Sequence, residues 1–106
     1  MKHFLVFLLT FLSFPSASFS YDQNDILRLE KLNESNKRYG YYIEEGNLKG
    51  LDLSGADLRN STFRKTNFSY SNFRGADLSG SDLMDADLSN SNLSDAELHK
   101  TILSGA

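Results

Sequence analysis

The side chains that most often carry enzyme chemistry are sparse in this 106-residue sequence. It contains no cysteine and only two histidines, His3 near the start and His99 beside Lys100. A single histidine on a polar stretch cannot form a nucleophile–base pair or a closed metal site alone. No nucleophile elbow, phosphate loop or zinc pattern is present either. We therefore predict that the protein is not an enzyme, with no catalytic and no cofactor-binding residues.

Repeated aspartates raise the question of calcium, because calcium-binding β-rolls also repeat carboxylates. Those rolls carry a Gly-Gly-x-Gly-x-Asp pattern on nine residues, which this chain lacks. Without cysteine there is also no thiolate metal site and no disulfide framework. We predict no metal ligands and no cofactor. The aspartates are interpreted as solubilising residues that flank turns.

Charge argues against a nucleic-acid partner. Residues 46–106 carry six Lys/Arg and eight Asp/Glu, so no basic excess exists to neutralise phosphates. The most closely spaced basic residues are Arg59, Arg64, Lys65 and Arg74. They do not form one continuous basic stripe. We predict an ordinary mixed surface and no nucleic-acid binding.

Large apolar residues recur at every fifth position in the C-terminal part of the chain. From residue 48 onward all twelve are Leu or Phe: Leu48, Leu53, Leu58, Phe63, Phe68, Phe73, Leu78, Leu83, Leu88, Leu93, Leu98 and Leu103. Two positions earlier the residue is small in every unit except at Leu51. A helix would need apolar residues near every 3.6 positions and a strand near every 2. A period of five instead predicts a short extended side closed by a turn, with the small and the large residue facing inward.

The other positions of the five-residue unit suit such a turn. The residue before each large one is Asp, Asn or Glu in ten of twelve units. The last residue is Gly, Asn or Asp in nine of twelve, and these types tolerate positive φ or hydrogen-bond locally. The unit is therefore small, polar, Leu/Phe, polar, turn, and these positions are numbered one to five.

Ala-Asp-Leu triplets end at Leu58, Leu78 and Leu88. They resemble the Ala-Asp/Asn-Leu core of the pentapeptide-repeat family, and the likeness extends over residues 46–106. The resemblance implies an all-β solenoid, a right-handed quadrilateral β-helix with four pentapeptides per coil, here of about three coils. Residue i would then stack on residue i+20. Stacked coils would pair their backbone groups as neighbours in a sheet do.

Both ends of such a solenoid need cover. Residues 22–37 have the pattern of an amphipathic helix, and with Tyr39 to Ile43 they are predicted to pack over the first coil near Leu48 and Leu51. An aromatic binding patch is the alternative for the tyrosines. At the other end no cap follows Ala106, and Ile102 breaks the outward polar pattern. Three interpretations stay open: a truncated product, a bare end, and an end that docks on another molecule. The third includes a homodimer through this uncapped C-terminal coil.

The first residues have the layout of a secretory signal peptide: Lys2 and His3, an apolar run from Phe4 to Phe14, and a short polar end. Eleven residues rise only about 16 Å as a helix, against a hydrocarbon core of about 30 Å. We predict cleavage before Tyr21 and no stable membrane anchor afterwards. The expected division is 1–20 signal peptide, 21–45 helix and capping segment, and 46–106 repeat.

These patterns predict an exported, periplasmic or extracellular, non-catalytic protein. Its expected role is structural or in protein–protein interaction, with another protein or an envelope component as partner. Two alternatives remain. Some family members resemble duplex DNA and protect DNA gyrase, which suits longer and more acidic chains. The chain could also be a truncated repeat remnant without a dedicated partner.

Overall fold

The computed structural model of the protein describes residues 40–106. The predicted signal peptide at residues 1–20 and the predicted helix at residues 22–37 lie outside the described residues. Within the described residues, no helix is long and apolar enough to cross a membrane.

The backbone of residues 40–106 is organised by a register of twenty residues. Nine parallel bridges join residues that are twenty apart, from Tyr42↔Thr62 to Asp82↔Ile102. The predicted stacking of residue i on residue i+20 is confirmed. Each bridge is a single residue pair, and the described part of the chain contains no longer strand and no helix. The pentapeptide sides are therefore shorter than ordinary strands.

Hydrogen bonds along the solenoid hold each side to the next coil. On the side that begins at Ser61, the Phe63 amide donates to the Asp82 carbonyl at 2.8 Å, and the Asp82 amide donates to the Ser61 carbonyl at 2.8 Å. The Lys65 amide adds a third bond to Met84 at 2.9 Å. Most backbone amides and carbonyls of one coil hydrogen-bond to the next coil. The chain can therefore bend at every fifth residue and still leave few buried polar groups unpaired.

The repeat geometry begins one unit earlier than the predicted start at residue 46. Tyr42 forms the first bridge, Ile43 is fully buried at a third position, and Glu45 takes the turn conformation with φ 58°. Tyr41 occupies the first position and stacks on Phe63, with ring centroids 6.5 Å apart. Burial raises the pKa of Tyr41 to about 12. These side chains thus belong to a side of the first coil, although their residue types differ from the repeat pattern.

Every turn places its fifth residue at positive φ, whether or not the residue type favours it. Lys65, Tyr70 and Lys100 have φ of 56°, 59° and 58°, close to the value of 56° at Asn60. A left-handed conformation costs a residue with a β-carbon roughly 1–2 kcal/mol. At Lys65 and Tyr70 a hydrogen bond between coils offsets that cost, because the fifth-position amide itself donates to the next coil, to Met84 and Ser89.

The second-position Asp and Asn residues close the same turns. Their Oδ1 atoms accept a hydrogen bond from the amide two residues later, at 2.9–3.2 Å, in Asn47, Asp52, Asp57, Asn67, Asn72, Asp77, Asp82, Asp87 and Asn92. Short side chains with a carbonyl-type oxygen make this contact readily. The repeated Asp and Asn residues are therefore turn caps as well as solubilising groups.

The interior is filled by the first- and third-position side chains, as predicted. Phe63, Phe68 and Phe73 are buried and lie at one level of the solenoid. Phe68 meets each neighbouring ring edge to face, with centroids 5.1 Å apart and interplanar angles of 84° and 75°. Such edge contacts stabilise aromatic pairs by about 0.5–1.5 kcal/mol beyond the burial of area.

Buried serine hydroxyls in the first position connect the coils from inside. The Ser81 hydroxyl accepts the Ser61 amide at 3.1 Å and donates to the Leu58 carbonyl at 2.6 Å. Ser71 joins Leu51 and Leu48 in the same way. Each hydroxyl thus enters the turn of the preceding coil, and both of its hydrogen bonds go to the backbone.

Candidate functional site

Chemically active groups do not gather on the described outer faces. His99 is exposed, as its position in the repeat predicts. Across residues 40–106, no three His, Cys, Asp or Glu side chains lie close enough together to hold a metal ion.

A column of carboxylates runs along one face through Asp57, Asp77 and Glu97, which are in register through two bridges. Asp57 accepts two hydrogen bonds from the Arg59 guanidinium, each at 2.8 Å, and this contact lowers the pKa of Asp57. The hydrogen bond from Ser79 lowers the pKa of Asp77. Both aspartates also cap their turns, so the column is explained by local structure.

The basic residues are distributed among acidic partners. Arg64 pairs with Asp82, and this hydrogen bond raises the pKa of Arg64. Three further pairs are longer: Arg59 with Asp77 at 3.8 Å, Lys65 with Glu45 at 3.6 Å, and Arg74 with Asp95 at 3.9 Å. Because each of these basic groups lies beside a carboxylate, they form no continuous positive stripe on the described residues.

Two aromatic side chains are exposed on the outer surface of the described residues, Tyr42 at 54% and Tyr70 at 62%. The Lys49 ammonium lies 5.4 Å from the centre of the Tyr70 ring. A cation over an exposed ring contributes only about 0.5–1 kcal/mol. The pair orders two long side chains on one face but forms no enclosed binding site.

The strongest candidate surface is the end of the solenoid at residues 86–106, named here the open end. The third-position Leu83 is fully buried, whereas Leu98 and Leu103 are 36% and 39% exposed. Leu88 and Leu93 are only partly buried. Ile102 is 45% exposed, which agrees with the interruption of the polar pattern in the sequence. Residues that fill the interior elsewhere thus form a surface here.

An open concavity of about 600 Å³ lies at this end. Its apolar wall includes Leu88, Leu93 and Leu103, and its rim includes Asp85 and Asp87. The hydrogen bond from Ser89 holds the pKa of Asp87 below its usual value, so this carboxylate is charged near neutral pH. The concavity therefore has an apolar wall and a negatively charged rim.

Backbone pairing stops at the same place. The third-position amide of Leu83 donates to Ile102, and the fifth-position amide of Asp85 donates to Ser104. The corresponding amides of Leu88, Asn90, Leu93 and Asp95 donate to no group in the described part of the chain. Within residues 40–106 these amides lie beside the partly buried Leu88 and Leu93.

Comparison with known proteins agrees with this geometry. A family model described as pentapeptide repeats matches residues 47–80 and 81–106. No curated protein matches the chain. Among solved structures, a pentapeptide-repeat protein from the thylakoid lumen of Arabidopsis thaliana is 38% identical, with a TM-score of 0.51. The match covers 52% of this chain and 38% of that one.

Two cyanobacterial pentapeptide-repeat proteins are also similar. Rfr23 of Cyanothece 51142 is 28% identical over 60% of this chain and 54% of its own, with a TM-score of 0.32. Alr5209 of Nostoc PCC 7120 is 27% identical over 64% of this chain and 73% of its own, with a TM-score of 0.30. The chain spans well under two thirds of the length of the Arabidopsis and Cyanothece proteins.

The family match and the Arabidopsis structure imply a right-handed quadrilateral β-helix, in agreement with the register of twenty residues. The match of the family model to more than half of the residues shows that this chain belongs to the pentapeptide-repeat family.

Proposed function

We propose that the protein is an exported, non-catalytic interaction module, whose solenoid presents its outer surface to another protein or an envelope component. The observation that carries this proposal is the filled interior. Third-position side chains from Ile43 to Leu83 are buried, and the buried hydroxyls of Ser71 and Ser81 are used in backbone hydrogen bonds. Because no room remains inside for a ligand along these coils, recognition falls to the outer faces and the open end.

Export is supported by two independent observations. The N-terminal residues follow the order of a secretory signal, from Lys2 through the apolar run to the polar end before Tyr21. A family member that is 38% identical over half of this chain is described as a protein of the thylakoid lumen, a compartment enclosed by a membrane. We infer that the solenoid works outside the compartment in which it is made.

The experiment that tests export measures the intact mass of the natively expressed protein and its partition among cytoplasmic, membrane and exported fractions. We expect a mass that begins near Tyr21 in an exported fraction. A full-length product in the cytoplasm would overturn the export proposal and restore gyrase protection as the leading alternative. A reaction that persists in highly purified protein would overturn the non-catalytic role.

A further inference from the structure

One side of the solenoid carries fewer charges than the other three. It is named here the Asn67 face and consists of three units stacked in register: residues 46–50, 66–70 and 86–90. Of the sixteen Lys, Arg, Asp and Glu side chains in residues 41–106, only Lys49 and Asp87 belong to it. Protein interfaces are typically poor in charged residues at their centre. The Asn67 face is the side of the described solenoid that comes closest to this composition.

An aromatic ring lies over the middle of the Asn67 face. Tyr70 is the most exposed of the large apolar side chains in residues 40–106, and the Lys49 ammonium lies near its ring. Ser69 is buried, unlike every other fourth-position residue of the described chain. The ring and the Lys49 side chain are therefore placed across the face, over Ser69. Tyrosine is enriched at protein interfaces because its rigid ring buries a large area.

A two-fold axis makes the Asn67 face complementary to itself. If the axis crosses the face at the level of Asn67, perpendicular to the solenoid, each position meets the same position of a second copy with the order of coils reversed. Tyr70 then meets Tyr70 of the second copy. Lys49 comes to the level of Asp87 of the second copy, whereas within one chain these two residues are two coils, about 10 Å, apart.

Charge balance favours a second copy as the occupant of this face. The Asn67 face has one acidic and one basic side chain, so two copies can meet there without an excess of like charges. The side that contains Arg64 and Asp82 has four acidic and two basic side chains, and the other two sides also have an acidic excess. Like charges brought together at an interface oppose association. A strongly charged partner would likewise find little opposite charge on the Asn67 face.

We infer that the Asn67 face is a self-association surface, through which two copies pair in antiparallel orientation with their Tyr70 rings in contact. This inference goes beyond the proposed function, because the pairing leaves three outer sides of each copy available to another partner. Three coils make a face only about 15 Å tall. Interfaces that bury less than about 1,200 Å² in total are typically weak, so we expect a dissociation constant of the order of 100 µM.

Crosslinking locates the surface, and the lack of cysteine in the chain makes each introduced thiol unique. Asn67→Cys places a thiol on the two-fold axis. Asn72→Cys is the matched control, because Asn72 holds the same position of the same coil on the next side. A short bismaleimide can join the thiols, since facing sheets pack about 10 Å apart. We expect about tenfold more covalent dimer from Asn67→Cys, and equal yields from the two variants would overturn the assignment to this face.

Charge reversal separates pairing between copies from pairing within one chain. Lys49→Asp and Asp87→Lys each leave two like charges on the face, so each variant alone should dimerise about tenfold more weakly. A mixture of the two variants restores opposite charges across the axis and should dimerise as tightly as the wild type. Sedimentation velocity at low salt measures the three samples. If the mixture associates no better than either variant alone, the antiparallel pairing is wrong.

Replacement of the central ring completes the test. Tyr70→Asn supplies a residue that already takes positive φ at Asn60 and Asn90, so the turn is retained. Tyr42→Asn is the control, because it removes the other exposed ring at a position where Asn47 carries asparagine. Sedimentation of the protein as isolated from its producing cells should show a dimer weakened at least about tenfold by the first variant and less than about twofold by the second. Equal effects, or a wild type that is monomeric at about 500 µM, would contradict the inference.

Discussion

The carboxamide oxygen of Asn60 occupies the space that a β-carbon on Gly80 would need. Both are fifth-position residues of the same face, one coil apart, with φ of 56° and 72°. Asp85 stands in the same relation to Gly105. The side chains of Asn60 and Asp85 thus lean along the solenoid over the glycine twenty residues later, whereas Gly55 has open space around its Cβ direction.

Gly80→Ala should therefore destabilise the protein more than Gly55→Ala. Both alanines would adopt positive φ, which costs about 1–2 kcal/mol. Only the alanine at 80 would also displace the exposed Asn60 side chain, and this rearrangement at the surface adds about 0.5 kcal/mol. Urea unfolding of the two variants gives the comparison. If Asn60→Gly is combined with Gly80→Ala, the extra loss should disappear; persistence of the full loss would contradict the steric explanation.

Phe68 should be the most sensitive of the interior positions. It is fully buried and contacts the rings of Phe63 and Phe73. Phe68→Ala should lower the free energy of unfolding by about 3–5 kcal/mol, which could unfold so small a domain. Phe68→Leu is the informative variant, since Leu occupies most third positions. Leu98→Ala should lower the free energy of unfolding far less, because Leu98 is already 36% exposed. An equal loss for Phe68→Ala and Leu98→Ala in urea unfolding would contradict this prediction.

The hydroxyl of Ser81 should contribute to stability although alanine is common at the first position. Ser81→Ala removes the acceptor for the Ser61 amide and the donor to the Leu58 carbonyl. A buried polar group without a hydrogen-bond partner costs about 1–3 kcal/mol. The loss of stability is smaller if the Ser61 amide and the Leu58 carbonyl pair within their own turn. Ser94→Ala is the matched control because Ser94 is exposed, and its free energy of unfolding should match that of the wild type. If Ser81→Ala left the free energy of unfolding unchanged, the prediction would be contradicted, and the turn from Leu58 to Ser61 would be shown to rearrange without cost.

Stability should fall in acid because turn-capping carboxylates are ionised in the folded state. Hydrogen bonds from Ser79 and Ser89 lower the pKa values of Asp77 and Asp87 relative to the unfolded chain. Their contribution is present above the unfolded pKa, about 3.9, and is lost as pH falls through the folded values. The urea midpoint should drop between pH 5 and pH 2. Asp87→Asn keeps an oxygen acceptor without the charge, so its midpoint should depend less steeply on pH over that range.

The five-residue repeat was predictable because one physical requirement, an apolar side chain at the third position of every unit, recurs without exception from Leu48 to Leu103. The register of twenty residues was expected only from the resemblance to the pentapeptide-repeat family. The first unit was not predicted. Tyr41 stands where a small residue was expected, and its ring stacks on Phe63. Lys65 and Tyr70 likewise adopt positive φ because the register of the coils demands a turn there, not because of their own preferences.

The open end was predictable only in part. Ile102 pointed to a contact near this end, and the excess of acidic residues after position 80 can be counted from the sequence. The exposure of Leu98 and Leu103 among residues 40–106 depends on what lies next to them along the solenoid axis. That neighbour is set by three-dimensional register, which periodic residue types do not reveal for an end coil.

The register of twenty residues also makes the arrangement of outer side chains depend on the length of the chain. Deleting the pentapeptide at residues 66–70 would keep every remaining Leu and Phe inward, yet turn all later sides by a quarter of a coil relative to the sides before it. Arg64 would then lose its place beside Asp82, and new columns of outer side chains would form. Deleting twenty residues would preserve the columns. Changes of length in steps of five can therefore diversify the surface of such a protein without a single substitution.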